Sequence, residues 1–153
     1  MTRHLVDTSV WVAMSVGHHV HGRAAIEWFD TLDEAGSALF CRSTQQSVLR
    51  LLTTGSVFAP YGGTALSGEE AWSAFDRLVA DTRVGFYLDE PEGFDVSWRG
   101  FTSRPTASPK LWMDGYLAAL AVAAGLRFVT TDSAFRQFPG LDLLVLGSAT
   151  ASA

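Results

Sequence analysis

Short uninterrupted apolar runs alternate with longer helical patterns along this chain, and that alternation leaves few folds open. The runs are His4 to Val6, Ala38 to Cys41, Val84 to Leu88, Arg127 to Thr130 and Leu143 to Leu146. They are mostly continuous, as expected of strands whose two faces are both covered in a parallel sheet. Between them, Ala25, Trp28, Phe29 and Leu32 repeat at helical spacing, and Val48, Leu49, Leu51 and Leu52 make a second apolar face. Trp72, Phe75 and Val79 make a third, preceded by Ser67 and Glu70 in the spacing of a capping box. Leu111 to Ala124 reads as a small-residue helix ended by Gly125. Gly55 to Gly68, with Pro60, Gly62 and Gly63, reads as an irregular loop. Strands and helices in this order predict a doubly wound, three-layer α/β domain.

A chain of 153 residues, 48% hydrophobic and with 5 prolines, suits one domain with a full core. The expected boundaries are 1–147 for the domain and 148–153 for a flexible C-terminal tail. The longest uncharged apolar stretch, Met113 to Arg127 apart from Asp114 itself, is too short and too alanine-rich to span a bilayer, and the N-terminus lacks a signal pattern. These features predict a cytoplasmic protein with no membrane partner. The lone Cys41 has no internal disulfide partner and reads as a small buried apolar residue. A net charge of −5 argues against a protein that coats DNA without specificity.

Three aspartates stand out against this map. Asp7 ends the first run, with Thr8 or Ser9 expected to cap a helix opening at Val10. Asp132 follows the fourth run, and Asp114 lies in the first turn of the helix leading into that run. A parallel sheet brings all three to its carboxyl edge, where ligands of open α/β sheets bind. Carboxylates gathered there repel one another and call for a cation. Oxygen-only ligands suit Mg²⁺ or Mn²⁺, and such an ion can promote hydrolysis of a phosphodiester. Taken singly, Asp7 also reads as a turn acid, Asp114 as a helix N-terminal acid, and Asp132 as an Asx-turn residue. Their shared placement at one sheet edge favours the metal site.

At these residues the chain resembles the PIN-domain nucleases, in particular the VapC-type toxins of bacterial toxin–antitoxin pairs. Four segments in order carry the resemblance: Leu5 to Trp11, Thr44 to Leu52, Leu111 to Ala121, and Leu126 to Phe135. It implies a PIN-like, three-layer domain with a five-stranded parallel sheet of order 3-2-1-4-5. It also implies a Mg²⁺- or Mn²⁺-dependent endoribonuclease, a homodimer, and inhibition by a small cognate antitoxin. By the same resemblance Asp7 and Asp114 are primary metal-site residues, Asp132 completes the cluster, and Ser9 orients a ligand or water. The family usually has glutamate in the second segment where this chain has Gln45. Gln45 keeps a carbonyl oxygen and loses the charge. Three aspartates can still hold the metal, the copy can be attenuated, or Glu90 can substitute, although Glu90 follows the strand farthest from the first on its side.

The remaining patterns say less. His18, His19 and His21 lack the i, i+4 spacing that aims two imidazoles from one helix face at zinc. Ser9 stands where a phosphoaspartyl phosphatase would carry a second aspartate, and no phosphate-cradling glycine loop with lysine occurs. Arg42, Arg50, Arg104 and Lys110 are the basic residues expected near the crevice, as RNA-phosphate contacts or as a solvated rim. Five tryptophans and ten phenylalanines suggest an apolar surface that meets another chain, with Trp28, Phe29, Leu49 and Leu52 as the expected contacts and core packing as the alternative. Two other readings of the whole chain are a noncatalytic RNA-binding or complex-forming module on the same fold, and a small-molecule phosphohydrolase on a similar one.

Overall fold

In the computed structural model, which describes residues 1–147, five strands form one wholly parallel sheet. They are β1 (His4–Val6), β2 (Ala38–Phe40), β3 (Val84–Phe86), β4 (Arg127–Thr130) and β5 (Leu143–Val145), in the order 3-2-1-4-5 that the resemblance implied. The expected tail, 148–153, lies outside the described residues. Strands β2, β3 and β5 are shorter than their apolar runs. Cys41 leaves the ladder to begin the next helix, and Tyr87 gives the sheet only its amide, to Phe40 O at 2.7 Å.

The helices are α1 (Thr8–Ser15), α2 (Gly22–Phe29), α3 (Arg42–Leu52), α4 (Gly55–Phe58), α5 (Gly68–Val79), α6 (Phe94–Thr102) and α7 (Leu111–Ala124). The two-residue period of the strands divides the core into two layers. Val6, Phe40 and Val129 face α1, α2, α3 and α5, whereas Leu5, Leu39 and Phe128 face α6 and α7. The capping box at Ser67 and Glu70 forms as expected, with Glu70 N donating to Ser67 Oγ at 3.1 Å.

Several expectations are corrected. The stretch from Gly55 contains α4 and a 3-10 turn, Ala59–Tyr61, so it is less irregular than its glycines and proline suggested. Helix α6 has no counterpart among the expected helices, because its pattern of Phe94, Trp98 and Phe101 is short and Gly100 interrupts it. Trp28 and Leu52 are buried, and Phe29 and Leu49 pack against the same cluster, so these four build the core rather than a docking face. Trp72 lies 51% exposed on α5, its ring edge-on to Phe75.

Two glycines position α7 for the site. Gly125 ends the helix at φ +66°, a left-handed conformation that lets Leu126 N donate back to Ala121 O at 2.9 Å before β4 begins. Gly115 allows α6 to lie against α7, since a Cβ there would stand 2.7 Å from Thr102 Cγ2. Both constraints act on the helix that carries Asp114.

Candidate active site

Because all five strands run the same way, β1, β2 and β4 deliver their following residues to one edge of the sheet. Asp7 stays in the ladder through its backbone, its N–H donating to Val129 O at 2.8 Å. Helix α1 opens at Thr8, with Asp7 itself in the capping position, rather than at Val10 behind a Thr8 or Ser9 cap. The Asp7 side chain does not cap the helix. It turns across the edge to β4, where its Oδ2 accepts from Thr130 Oγ1 at 2.6 Å and from Ser9 Oγ at 3.0 Å. Ser9 Oγ accepts in turn from Thr131 N at 3.2 Å, which ties the start of α1 to the end of β4.

Thr130 continues the network. Its Oγ1 accepts from Asp132 N at 3.0 Å, while Asp132 Oδ1 accepts from Ala134 N at 2.9 Å. Asp132 thus is an Asx-turn residue and a site residue together. Its other oxygen, Oδ2, accepts from Lys110 Nζ at 2.8 Å, and the same ammonium stands 3.4 Å from Asp114 Oδ2. Asp7, Asp114 and Asp132 are therefore joined in a line through hydroxyls and one lysine.

The electrostatics follow that line. Burial pushes the Asp7 carboxyl up, the Thr130 and Ser9 hydroxyls oppose it, and the neighbouring Asp114 adds to the rise. Asp114 is also pushed up by burial, against the pull of Lys110, with Asp132 adding a smaller repulsion. Asp132 is held low, chiefly by its hydrogen bond from Lys110. Burial thus works against the charge of Asp7 and Asp114, while the Lys110 ammonium offsets part of the charge that Asp114 and Asp132 bring together. Among the described residues, no group of three or more His, Cys, Asp or Glu side chains is gathered closely enough to share one metal ion. The donor set still suits Mg²⁺, which keeps several waters and needs only one or two direct carboxylates plus substrate oxygen.

The other expected residues are placed as follows. Gln45 is buried in the first turns of α3, and its Oε1 accepts from Arg42 Nη1 at 2.6 Å. Among the described residues, no hydrogen bond joins Gln45 to Asp7, Asp114 or Asp132. Arg50 lies in the last turn of α3, about 12 Å along the axis from Arg42 and so away from the carboxyl edge. Arg104 and Lys110 share a cleft with Asp114. Glu90 reaches farther than its strand's position suggested, because Tyr116 Oη of α7 donates to its Oε1 at 3.1 Å. Burial, and then Glu90, push the Tyr116 phenol up to about 12.

A family model described as the PIN domain matches residues 4–141. The chain belongs to the PIN-domain family. Ribonuclease VapC41 of Mycobacterium tuberculosis H37Rv is 45% identical over 142 residues, which is 93% of this chain and 97% of that protein. Ribonuclease VapC29 of the same strain is 29% identical over 145 residues, 93% of this chain and 94% of the relative. Among solved structures, Mycobacterium tuberculosis VapC20, described as a sarcin-ricin loop cleaving toxin, superposes with a TM-score of 0.62 at 14% identity, covering 91% of this chain and 97% of that one. VapBC2 from Rickettsia felis, bound to a DNA fragment from its promoter, also gives 0.62, at 12% identity and covering 95% and 99%. At such identities these structures bear on the fold alone.

Within this PIN domain, Thr130 is the site residue that sequence reasoning passed over. It is fully buried, donates to Asp7 and accepts from Asp132. The available signal was a threonine closing an otherwise apolar strand, where a buried hydroxyl needs a partner. Only the pairing of β1 with β4 makes that partner Asp7.

Proposed function

We propose that this PIN-domain protein is the endoribonuclease toxin of a toxin–antitoxin pair, hydrolysing RNA phosphodiesters with one or two Mg²⁺ or Mn²⁺ ions at the edge that Asp7, Asp114 and Asp132 line, each ion taking one or two of these carboxylates directly. The observation that carries this reading is the continuous polar line from Asp7 through Thr130 to Asp132 and Lys110 to Asp114. It occurs at the carboxyl edge of the sheet, in a chain 45% identical to a VapC ribonuclease over 142 residues. In the same reading the protein acts in the cytoplasm as a homodimer and is kept silent by a small cognate antitoxin. Exposed Phe86, at the end of edge strand β3, and Leu88 just beyond it support a contact with another chain.

A bound ion would supply Lewis acidity toward both water and the phosphodiester. The protein's own residues supply the rest. Ser9 and Thr130 fix the rotamer of Asp7 by donating to the same oxygen, so the carboxylate is aimed before any ligand arrives. Lys110 balances Asp114 and Asp132 and stands ready to pair with a phosphate oxygen that enters between them. Retention of all three aspartates favours turnover over the noncatalytic module.

Purified protein freed from antitoxin is expected to cut RNA with Mg²⁺ or Mn²⁺ and to stop when the ion is chelated. Labelled transcripts resolved on a gel provide the readout. Intact RNA with either ion, or turnover of phosphomonoesters alone, overturns the reading.

Gln45→Glu gives a related prediction. The new carboxylate meets Arg42, whose Nη1 already stands 2.6 Å from Oε1, so a charge-assisted pair consumes much of the added charge. Calorimetric titration should show Mg²⁺ binding tightened by less than the roughly tenfold, about 1.4 kcal/mol, that an unpaired ligand could provide. Adding Arg42→Ala should release the remainder. Identical affinity in wild type, single and double variants places residue 45 outside the metal's reach.

A further inference from the structure

A groove of about 730 Å³ opens between α6, the loop over residues 103–110 and the start of α7. Trp98, Arg99, Arg104 and Trp112 are among its walls. A second, smaller cleft shares Arg104, Thr106, Ser108 and Leu111 with it and continues to Lys110 and Asp114. The groove and the acidic edge are therefore one path along the surface.

We infer that this groove binds a nucleotide flanking the scissile phosphate, with its unstacked base against the Trp112 indole and its backbone along Arg99 and Arg104. The inference rests on the reading of the chain as an endoribonuclease and extends it to a substrate subsite. Trp112 is 58% exposed, an unusual state for so large an apolar ring, yet its backbone is fixed because Trp98 Nε1 donates to Trp112 O at 3.0 Å. Trp98 is itself held, stacked on Phe94 and edge-on to Tyr116. A solvent-facing indole on an anchored backbone offers the kind of platform on which single-stranded nucleic acids stack, and stacking tolerates any base because each has a π face.

Charge points to a phosphodiester backbone as the occupant. The chain carries net charge −5 with eleven Lys and Arg, yet Arg99, Arg104 and Lys110 succeed one another along this single path. Among the described residues no ion pair neutralises Arg99 or Arg104, while Arg104 Nε donates to Phe101 O at 3.3 Å and is thereby steered. Asp95 is the acid on the groove wall. A volume of this order suits a ligand of nucleotide size, and an intact duplex would keep its bases stacked and out of reach of Trp112.

The test measures binding of a short, mixed-sequence, fluorescently labelled single-stranded oligoribonucleotide without divalent ions, so that nothing is cut. Trp112→Ala should weaken binding roughly tenfold, and Trp112→Phe, which keeps a π face, should restore most of it. Arg99→Ala with Arg104→Ala should flatten the logarithmic salt slope by about 1.4, the value for two lost phosphate contacts on a single strand. Arg23→Ala, which removes an exposed charge on α2, should leave binding unchanged. In cleavage assays with Mg²⁺, loss at Trp112 should appear in KM rather than kcat. Both arginines are exposed, so their variants remain informative if Trp112→Ala fails to fold. Unchanged RNA affinity and salt slope overturn the inference. Weaker binding of the antitoxin with RNA binding intact also overturns it, and makes the groove a protein-docking site. If the wild type binds RNA in this way yet cuts none with either ion, the nuclease reading falls and the groove stands.

Discussion

Asp7→Asn is expected to extinguish RNA cleavage while raising the thermal stability of the protein. The substitution keeps the volume and leaves an amide oxygen to accept from Thr130 and Ser9, but it removes the charge offered to a metal. Cleavage should fall about a thousandfold or more, the scale expected when several kcal/mol of charge stabilisation disappear. Stability should move the other way, because Asp7 is buried and burial is the main reason its carboxyl is pushed up. An ionised carboxylate there costs free energy that a neutral amide does not. For a chain of this size, each 1 kcal/mol regained appears as roughly 2–4 °C in Tm.

The pH dependence has a definite sign. A carboxyl raised in the folded state binds its proton more tightly there than in the unfolded chain. The stability associated with it is fully present below the unfolded value of 3.8 and is lost as pH rises through the raised folded value. Asp132, held low by Lys110, works in the opposite sense and loses its contribution as pH falls through its folded value. Denaturant titrations across the acidic range should therefore show Asp7→Asn removing a loss of stability that the wild type suffers as pH rises. A variant as active as wild type rejects the metal-site role. A variant with lower Tm rejects the account of Asp7 as a desolvated charge.

Trp11→Ala is expected to cost about 3–5 kcal/mol, the range for truncating a fully buried aromatic ring. Trp11 lies one turn beyond Asp7 and stacks on Phe40 with centroids 4.0 Å apart. Its Nε1 donates to Val6 O at 3.1 Å, the carbonyl immediately before Asp7. Truncation leaves a cavity between α1 and the sheet and removes that carbonyl's indole donor, so Tm should drop by roughly 10 °C. Trp11→Phe keeps the stacking and loses one hydrogen bond, for a cost nearer 1 kcal/mol. Because the indole braces the strand that carries Asp7, the alanine variant should also lose activity at temperatures where it remains folded. Equal stability of the two variants would remove the stacking from this account.

Composition and local order were enough to determine the alternation of strands and helices, and with it a parallel sheet whose carboxyl edge collects Asp7, Asp114 and Asp132. Those features are legible because buried parallel strands need continuous apolar runs, and because helix stops such as Gly125 act within a few residues. The PIN-domain segments around the same acids were legible for the same reason: each is a contiguous stretch. Side-chain partnerships were not. That Thr130 holds Asp7, that Lys110 joins Asp114 to Asp132, and that Arg42 takes the oxygen of Gln45 depend on pairing registers and on helices meeting at the sheet edge. The division of the aromatics was equally a tertiary matter. Trp28 and Trp112 sit on helices of apolar character and look alike as letters, yet one is buried beneath α1 and the sheet while the other faces solvent above a basic groove. Periodicity specifies which side of a helix is apolar, and only the packing of α6 against α7 decides how much of that side is left uncovered.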